Sequence, residues 1–143
     1  MPKFRIEKVI QAERQRVFDI VANYESFEKL LPNYFPSIRI RSVRDNVSVV
    51  EEHLKIGDKE LVMTTKHITN YPETHEVFVI GGDAKGSHII EKYEKIPNGT
   101  RIIVDADVKL KGMMRIAGLL GKQKIASEYG KIIDEFAKIV ENP

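Results

Sequence analysis

His67, Glu76 and Glu91 are the residues of this sequence whose types and placement could move protons. An imidazole gives or takes a proton near neutral pH, and two carboxylates beside it could share that proton or fix a carbonyl, hydroxyl or quinone oxygen. The three fall on successive alternating segments, so turn geometry decides whether they meet. Pairing through Asn98-Gly99 sets Tyr93 opposite Val104, Glu91 opposite Ala106 and Ile89 opposite Val108. Ile102, Val104, Ala106, Val108 and Leu110 form the apolar set of their strand and must face the core, so Tyr93, Glu91 and Ile89 face it too. Pairing through Gly82-Asp83-Ala84-Lys85 sets Ile89 with Phe78 and Glu91 with Glu76. Pairing through Tyr71-Pro72 sets Phe78 with Thr65 and Glu76 with His67, and pairing through Gly57-Asp58 sets Met63 with Glu52 and Leu61 with Leu54.

The concave face then carries His67, Glu76 and Glu91 in a line, with Glu52, Thr65, Ser87 and Tyr93 beside them. Three roles follow from those types: solvating a cavity rim, orienting the polar end of a ligand, or acid–base catalysis. The catalytic candidates are His67, Glu76 and Glu91. A slip of one residue would invert a strand and change the set. His53, His75 and His88 come out on the opposite face. Paired strands offer no tight local spacing of ligands, so neither a metal nor a cofactor is expected.

Other chemistries are missing from the sequence. It has no phosphate-binding loop, no dinucleotide fingerprint, no nucleophile elbow and no zinc-protease motif. Gly81-Gly82-Asp83-Ala84-Lys85-Gly86 is glycine-rich but reads as a hairpin connection. With no cysteine there is neither a disulfide nor a thiol nucleophile. A net charge of +2, with basic and acidic residues interleaved, gives no footprint for nucleic acid. No apolar run approaches the ~20 residues of a membrane span, and no signal peptide is visible at Met1-Pro2-Lys3-Phe4. The expected setting is cytoplasmic, which leaves room for transient contact with a membrane surface.

The elements that position these residues are legible from periodicity. Phe4 and Ile6 alternate with Arg5 and Glu7 in a first strand, with a bulge anticipated near Lys8. Val17, Ile20 and Val21 mark a helix over 13–22, and Ser26 opens a second short helix that Pro32 stops. Strands are predicted over 37–44, 47–56, 59–70, 74–81, 86–96 and 100–110, joined by connections too short for crossover helices and therefore antiparallel. Ile125, Tyr129, Ile132, Ile133, Phe136 and Val140 form one stripe of a long final helix. Gly130 within it reads as a point of close packing on the sheet. Before it, Gly112-Met113-Met114-Arg115-Ile116-Ala117-Gly118-Leu119-Leu120-Gly121 reads as a softer stretch, either a plastic lid or a close-packed helix start. The fold class is α+β over 1–143: a curved antiparallel seven-stranded sheet, with two short helices after the first strand, wrapped around a long C-terminal helix.

This order of elements resembles the Bet v 1-like, START-related helix-grip (SRPBCC) superfamily, and within it the polyketide cyclase/dehydrase and coenzyme Q-binding branch. The resemblance rests on Val17-Phe18-Asp19-Ile20-Val21-Ala22 and Tyr24-Glu25-Ser26-Phe27-Glu28-Lys29-Leu30-Leu31-Pro32, similar to the "VFDxVxDxExxxxxxP" opening. Two departures are Glu13 at the start of the first helix, where Pro or Ser is common, and the absence of tryptophan. The resemblance implies a cavity between sheet and long helix for a small hydrophobic ligand: a lipid, isoprenoid, quinone or polyketide-like aromatic. Residues placed to line it are Met63, Thr65, His67, Glu76, Phe78, Ile89, Glu91, Tyr93, Val104, Ala106, Val108, Met113, Met114, Ala117 and Tyr129. Binding or transport is the leading expectation. One alternative is a cyclase/dehydratase using the same acid–base residues without metal. The other is a chaperone- or ribosome-associated interaction module. The oligomeric state is left open.

Overall fold

The computed structural model describes residues 3–110 and 122–142. Strand β1 (Lys3–Ile10) leads into α1 (Arg14–Val21), a 3-10 turn (Tyr24–Ser26) and α2 (Phe27–Leu30). Six strands follow: β2 (Ser37–Arg44), β3 (Val47–Ile56), β4 (Lys59–Asn70), β5 (Thr74–Gly82), β6 (His88–Ile96) and β7 (Gly99–Asp107). The final helix α3 spans Lys122–Glu141. The strands make one open antiparallel sheet in the order β1-β7-β6-β5-β4-β3-β2. This is the helix-grip α+β fold.

Each element follows from its residues. β7 alternates buried Thr100, Ile102, Val104 and Ala106 with partly exposed Arg101, Ile103, Asp105 and Asp107, the signature of a sheet with one covered face. β1 pairs with β7 without a break from Lys3 to Ile10, so the bulge anticipated near Lys8 does not form. Instead Lys8 Nζ reaches Asp134 of α3 at 3.0 Å. The stripe of α3 is buried as its spacing requires, with Ile132, Ile133, Phe136 and Val140 in one cluster with Val17, Phe18, Tyr93, Ile102 and Val104. Each such side chain contributes about 1.5–3 kcal/mol on leaving water. The far end of α3 is held by Arg16 Nε on the Val140 carbonyl at 3.0 Å and by Glu141 on the Gln11 amide at 2.8 Å. Gly130 is not a close-packing point: a Cβ placed there would meet nothing within 4 Å among the described residues.

The turns decide the register. At the β6–β7 hairpin the turn residues are Pro97 and Asn98, with Asn98 at φ 65°, and Gly99 is already paired with Ile96. Tyr93 therefore lies opposite Ile102, Glu91 opposite Val104 and Ile89 opposite Ala106, a shift of two residues that preserves their inward direction. Gly99 has its own reason to be glycine, because a Cβ would lie 2.5 Å from the Ile10 carbonyl oxygen.

The β4–β5 connection has the larger effect. Asn70 pairs with Thr74, so Tyr71-Pro72-Glu73 is a three-residue loop, closed by Glu73 N–H on the Asn70 carbonyl at 2.7 Å. A two-residue turn would have paired His67 with Glu76. The extra residue pairs His67 with Val77 and Thr65 with Val79. Across the β5–β6 connection the pairing also differs by one from expectation, with Glu91 opposite His75 and Ile89 opposite Val77 in place of Glu76 and Phe78, so β5 is inverted: His75, Val77 and Val79 face the core and Glu76 and Phe78 face outward.

Candidate functional site

The inversion of β5 replaces the expected line of side chains with another. Glu52 on β3, His67 on β4, His75 on β5 and Glu91 on β6 stand side by side across the sheet, all nearly sealed from solvent. Glu52 Oε1 accepts a hydrogen bond from His67 Nε2. His67 Nδ1 lies 2.8 Å from His75 Nε2, with the two rings stacked at 13°. His75 Nδ1 donates to Glu91 Oε1 at 2.8 Å. Further side chains of β4, β6 and α3 close the row. Thr65 donates to Glu52 Oε1 at 2.6 Å, Tyr93 to Glu91 Oε1 at 2.5 Å, and Tyr129 of α3 to Glu91 Oε2 at 2.9 Å. Tyr24 packs its ring 4.6 Å from that of His67 and bonds Ser48 through its hydroxyl.

The proton count follows from the geometry. Two ionised carboxylates accept from the outer imidazole nitrogens, which uses the single N–H of each neutral ring. The two inner nitrogens would then face each other as bare acceptors at 2.8 Å, so one further proton must lie between them. Two carboxylates, two imidazoles and one extra proton leave the row with a net charge of −1. Burial pushes the Glu52 carboxyl up, but the His67 charge and hydrogen bond, with that of Thr65, outweigh it and hold the group below the usual carboxylate range. Burial likewise opposes ionisation of Glu91, and His75, Tyr93 and Tyr129 overcome it. Burial and the Glu91 carboxylate push the Tyr93 and Tyr129 hydroxyls well above the usual phenol range, so both remain donors.

This row forms one wall of a cavity of about 100 Å³ between the sheet and α3. The rest of the lining is mostly apolar, with Leu54, Leu61, Val77, Ile132 and Phe136 among its residues. An apolar cavity of ~150 Å³ admits benzene, so the space is on the scale of one small ring or a chain end. Chemically, the wall can hold a polar group within an otherwise apolar enclosure and can pass a proton from one end of the row to the other.

The residues named from sequence distribute as follows. Met63, Thr65, His67, Ile89, Glu91, Val108 and Tyr129 line the cavity, as do Glu52 and Ser87. Tyr93, Val104 and Ala106 face inward but are packed in the core beside it. Glu76 and Phe78 do not belong to the site: on the outer face Glu76 Oε2 bonds His88 Nε2 at 2.5 Å and Phe78 stacks on His88 at 4.4 Å. Met113, Met114 and Ala117 lie outside the described residues. His53 and His88 are on the outer face, His53 bonded to Glu60 at 2.8 Å. His75, placed there by the two-residue turn, is buried at the centre of the row. Sequence reasoning missed His75 and Tyr24. Counting Glu73 into the β4–β5 turn and moving the β5–β6 pairing by one residue would together have recovered His75, because His75, Val77 and Val79 alternate as cleanly as Glu76, Phe78 and Ile80. No local signal marks Tyr24, whose contact depends on how the 3-10 turn docks. Among the described residues no group of histidine and carboxylate side chains is arranged to hold a metal ion, and no helix is long and apolar enough to cross a membrane.

No protein-family model matches the sequence, and no curated protein matches it either. Solved structures do. A protein from Thermus thermophilus superposes with a TM-score of 0.78 at 15% identity, over 98% of this chain and 94% of that one. A START superfamily protein from Mycobacterium smegmatis gives a TM-score of 0.75 at 16% identity, over 97% and 94%. An aromatase/cyclase from a Streptomyces species gives 0.75 at 10% identity, over 97% and 93%. At such identities the likeness is one of fold. With its seven-stranded open sheet gripping a long C-terminal helix, the chain has the fold of the Bet v 1-like, START-related helix-grip superfamily.

Proposed function

We propose that this protein binds a small hydrophobic molecule carrying one polar group in the cavity between the sheet and α3. The observation that supports this is the cavity itself, apolar over most of its wall and crossed by one buried polar row. Burial of apolar ligand surface supplies the affinity, at about 25 cal/mol per Å², and the row selects orientation. Of the ligand classes the resemblance implies, what fits about 100 Å³ is a ring or the end of a chain, not a whole isoprenoid or polyketide. Likeness in fold to a START superfamily protein and an aromatase/cyclase is compatible with such a ligand. Native mass spectrometry of gently purified protein, followed by denaturation and extraction, tests the reading. A stoichiometric hydrophobic adduct supports it. No adduct, with no thermal shift across lipids, quinones and small aromatics, overturns it.

The buried Glu52–His67–His75–Glu91 row favours a second reading, acid–base turnover of the bound molecule as in a cyclase or dehydratase. His67→Gln separates the two. Loss of turnover with ligand affinity retained would support catalysis, whereas loss of affinity alone would support orientation.

A further inference from the structure

The polar row also specifies what kind of molecule can sit against it, given the binding reading above. Glu52 is 5% exposed and borders the cavity. Both of its hydrogen bonds to described residues, from Thr65 and His67, fall on Oε1. Among the described residues Oε2 has no partner. Glu91 differs: Oε1 accepts from His75 and Tyr93, and Oε2 accepts from Tyr129. A carboxylate oxygen held ionised in an apolar enclosure without a donor is costly, and a ligand that brings one removes the cost.

We infer that Glu52 Oε2 is the recognition point for a neutral hydroxyl group, and that the cavity takes small hydroxyl-bearing apolar molecules and rejects anions. Three observations define the class. The row carries a net charge of −1, so a carboxylate or phosphate brought into the cavity would meet like charge in a low-dielectric enclosure. The free group on the wall is an acceptor, so an ether or hydrocarbon of the same size leaves it unsatisfied. The opposing lining from α3 is Ile125, Ile132, Ile133 and Phe136 with Tyr129, whose hydroxyl is engaged with Glu91, so the helix side offers the three N–H donors of an ammonium no uncommitted acceptor. A single O–H donor on an apolar body matches one open acceptor on an apolar wall. The hydrogen bonds from Thr65 and His67 to Oε1 favour the ionised form of that carboxylate.

Calorimetric titration of the full chain at pH 7 with phenol, benzene, benzoate and benzylammonium tests the assignment. Phenol should bind at least about tenfold more tightly than benzene, the weight of one hydrogen bond to a charged acceptor. Benzoate should not bind detectably. Glu52→Gln, in protein whose circular dichroism matches the parent, should reduce the preference for phenol over benzene to about threefold or less. Equal binding of phenol and benzene would overturn the assignment while leaving the cavity-binding reading intact, as would benzoate or benzylammonium binding as tightly as phenol. Failure of all four to bind would remove the binding reading itself and this inference with it. The four-ligand comparison requires no substitution, so it decides the matter even where Glu52→Gln does not fold.

Discussion

Two glutamates that look alike in the sequence differ in what surrounds them. Glu91 is buried and accepts from His75, Tyr93 and Tyr129, whereas Glu76 stands on the outer face with His88 as its partner. Removing one member of a buried, hydrogen-bonded pair leaves an uncompensated charge. Glu91→Gln should therefore cost about 3–5 kcal/mol in denaturant unfolding. Glu76→Gln should stay within about 0.5 kcal/mol of the parent, as exposed substitutions do. Equal costs for the two would mean that β5 has the other face inward. The same residues govern acid stability. Glu52 and Glu91 have folded-state pKa values held below the ordinary glutamate value of 4.5. Their stabilisation is fully present above that value and is lost as pH falls through the lower folded values. Denaturant midpoints measured from pH 6 down to pH 3 should fall most steeply below about 4.5, with a shallower fall in Glu91→Gln. A midpoint that stays level across that range would contradict the ionised row.

At the scale of elements, α3 joins the sheet through an apolar stripe and through one polar contact into the site, Tyr129 on Glu91. Gly130, its neighbour, has open space where a Cβ would stand, so its place in the helix interior carries the entropic cost of glycine without a compensating contact. Gly130→Ala should raise stability by about 0.5–1 kcal/mol, seen as a higher thermal midpoint with unchanged ligand binding. A loss of stability would show that the surface around Gly130 is covered in solution. Gly82 shows the opposite case. It adopts φ 79°, and a Cβ there would lie 2.3 Å from the Val62 carbonyl oxygen, so alanine at that position would meet backbone that cannot move aside. β5 ends here, where a bulge at Ile80 brings Gly81 opposite Thr64 and Gly82 opposite Met63.

For the molecule as a whole, the space between sheet and helix is divided between core and cavity. The two core clusters flank it, one led by the aromatic side chains Phe18, Phe27, Phe35 and Phe136, the other by Phe4, Leu61, Met63 and Ile125. Val79 borders the cavity, whereas Val104 sits in solid core with no exposure. An added methylene should have opposite effects at the two positions. Val79→Leu enters empty space and should be neutral or stabilising by about 0.5 kcal/mol, at about 24 cal/mol per Å³ of cavity filled, while weakening ligand binding. Val104→Leu overpacks the core and should cost about 1–3 kcal/mol. Comparable losses from both, in unfolding measurements, would mean that the cavity is filled in solution.

The sequence by itself determined the order of the strands, the limits of β1 to β4, the antiparallel sheet, the amphipathic face of α3 and the inward direction of β3, β4, β6 and β7, whereas β6 begins at His88 and β7 ends at Asp107, short of the predicted 86 and 110. Those features are carried by local periodicity, and periodicity survives without knowledge of the tertiary contacts. β2, β3 and β4 begin and end where the alternation of their residues places them. Glu52 opposite Met63 and Leu54 opposite Leu61 likewise follow from the Gly57-Asp58 turn alone. Only the tertiary structure decided which face of β5 looks inward, and with it the substitution of His75 for Glu76 in the polar row. β5 carries apolar residues on both faces, Val77 and Val79 on one and Phe78 and Ile80 on the other, so its pattern does not choose. The choice rests on a one-residue difference at each connection of β5, Glu73 joining the turn before it and Glu91 pairing with His75 after it, and on the row of hydrogen bonds from Glu52 to Glu91 that forms only when His75 stands between His67 and Glu91. A period of two converts a single-residue difference in a loop into a complete exchange of faces, which is why the fold could be read from the sequence more fully than the site.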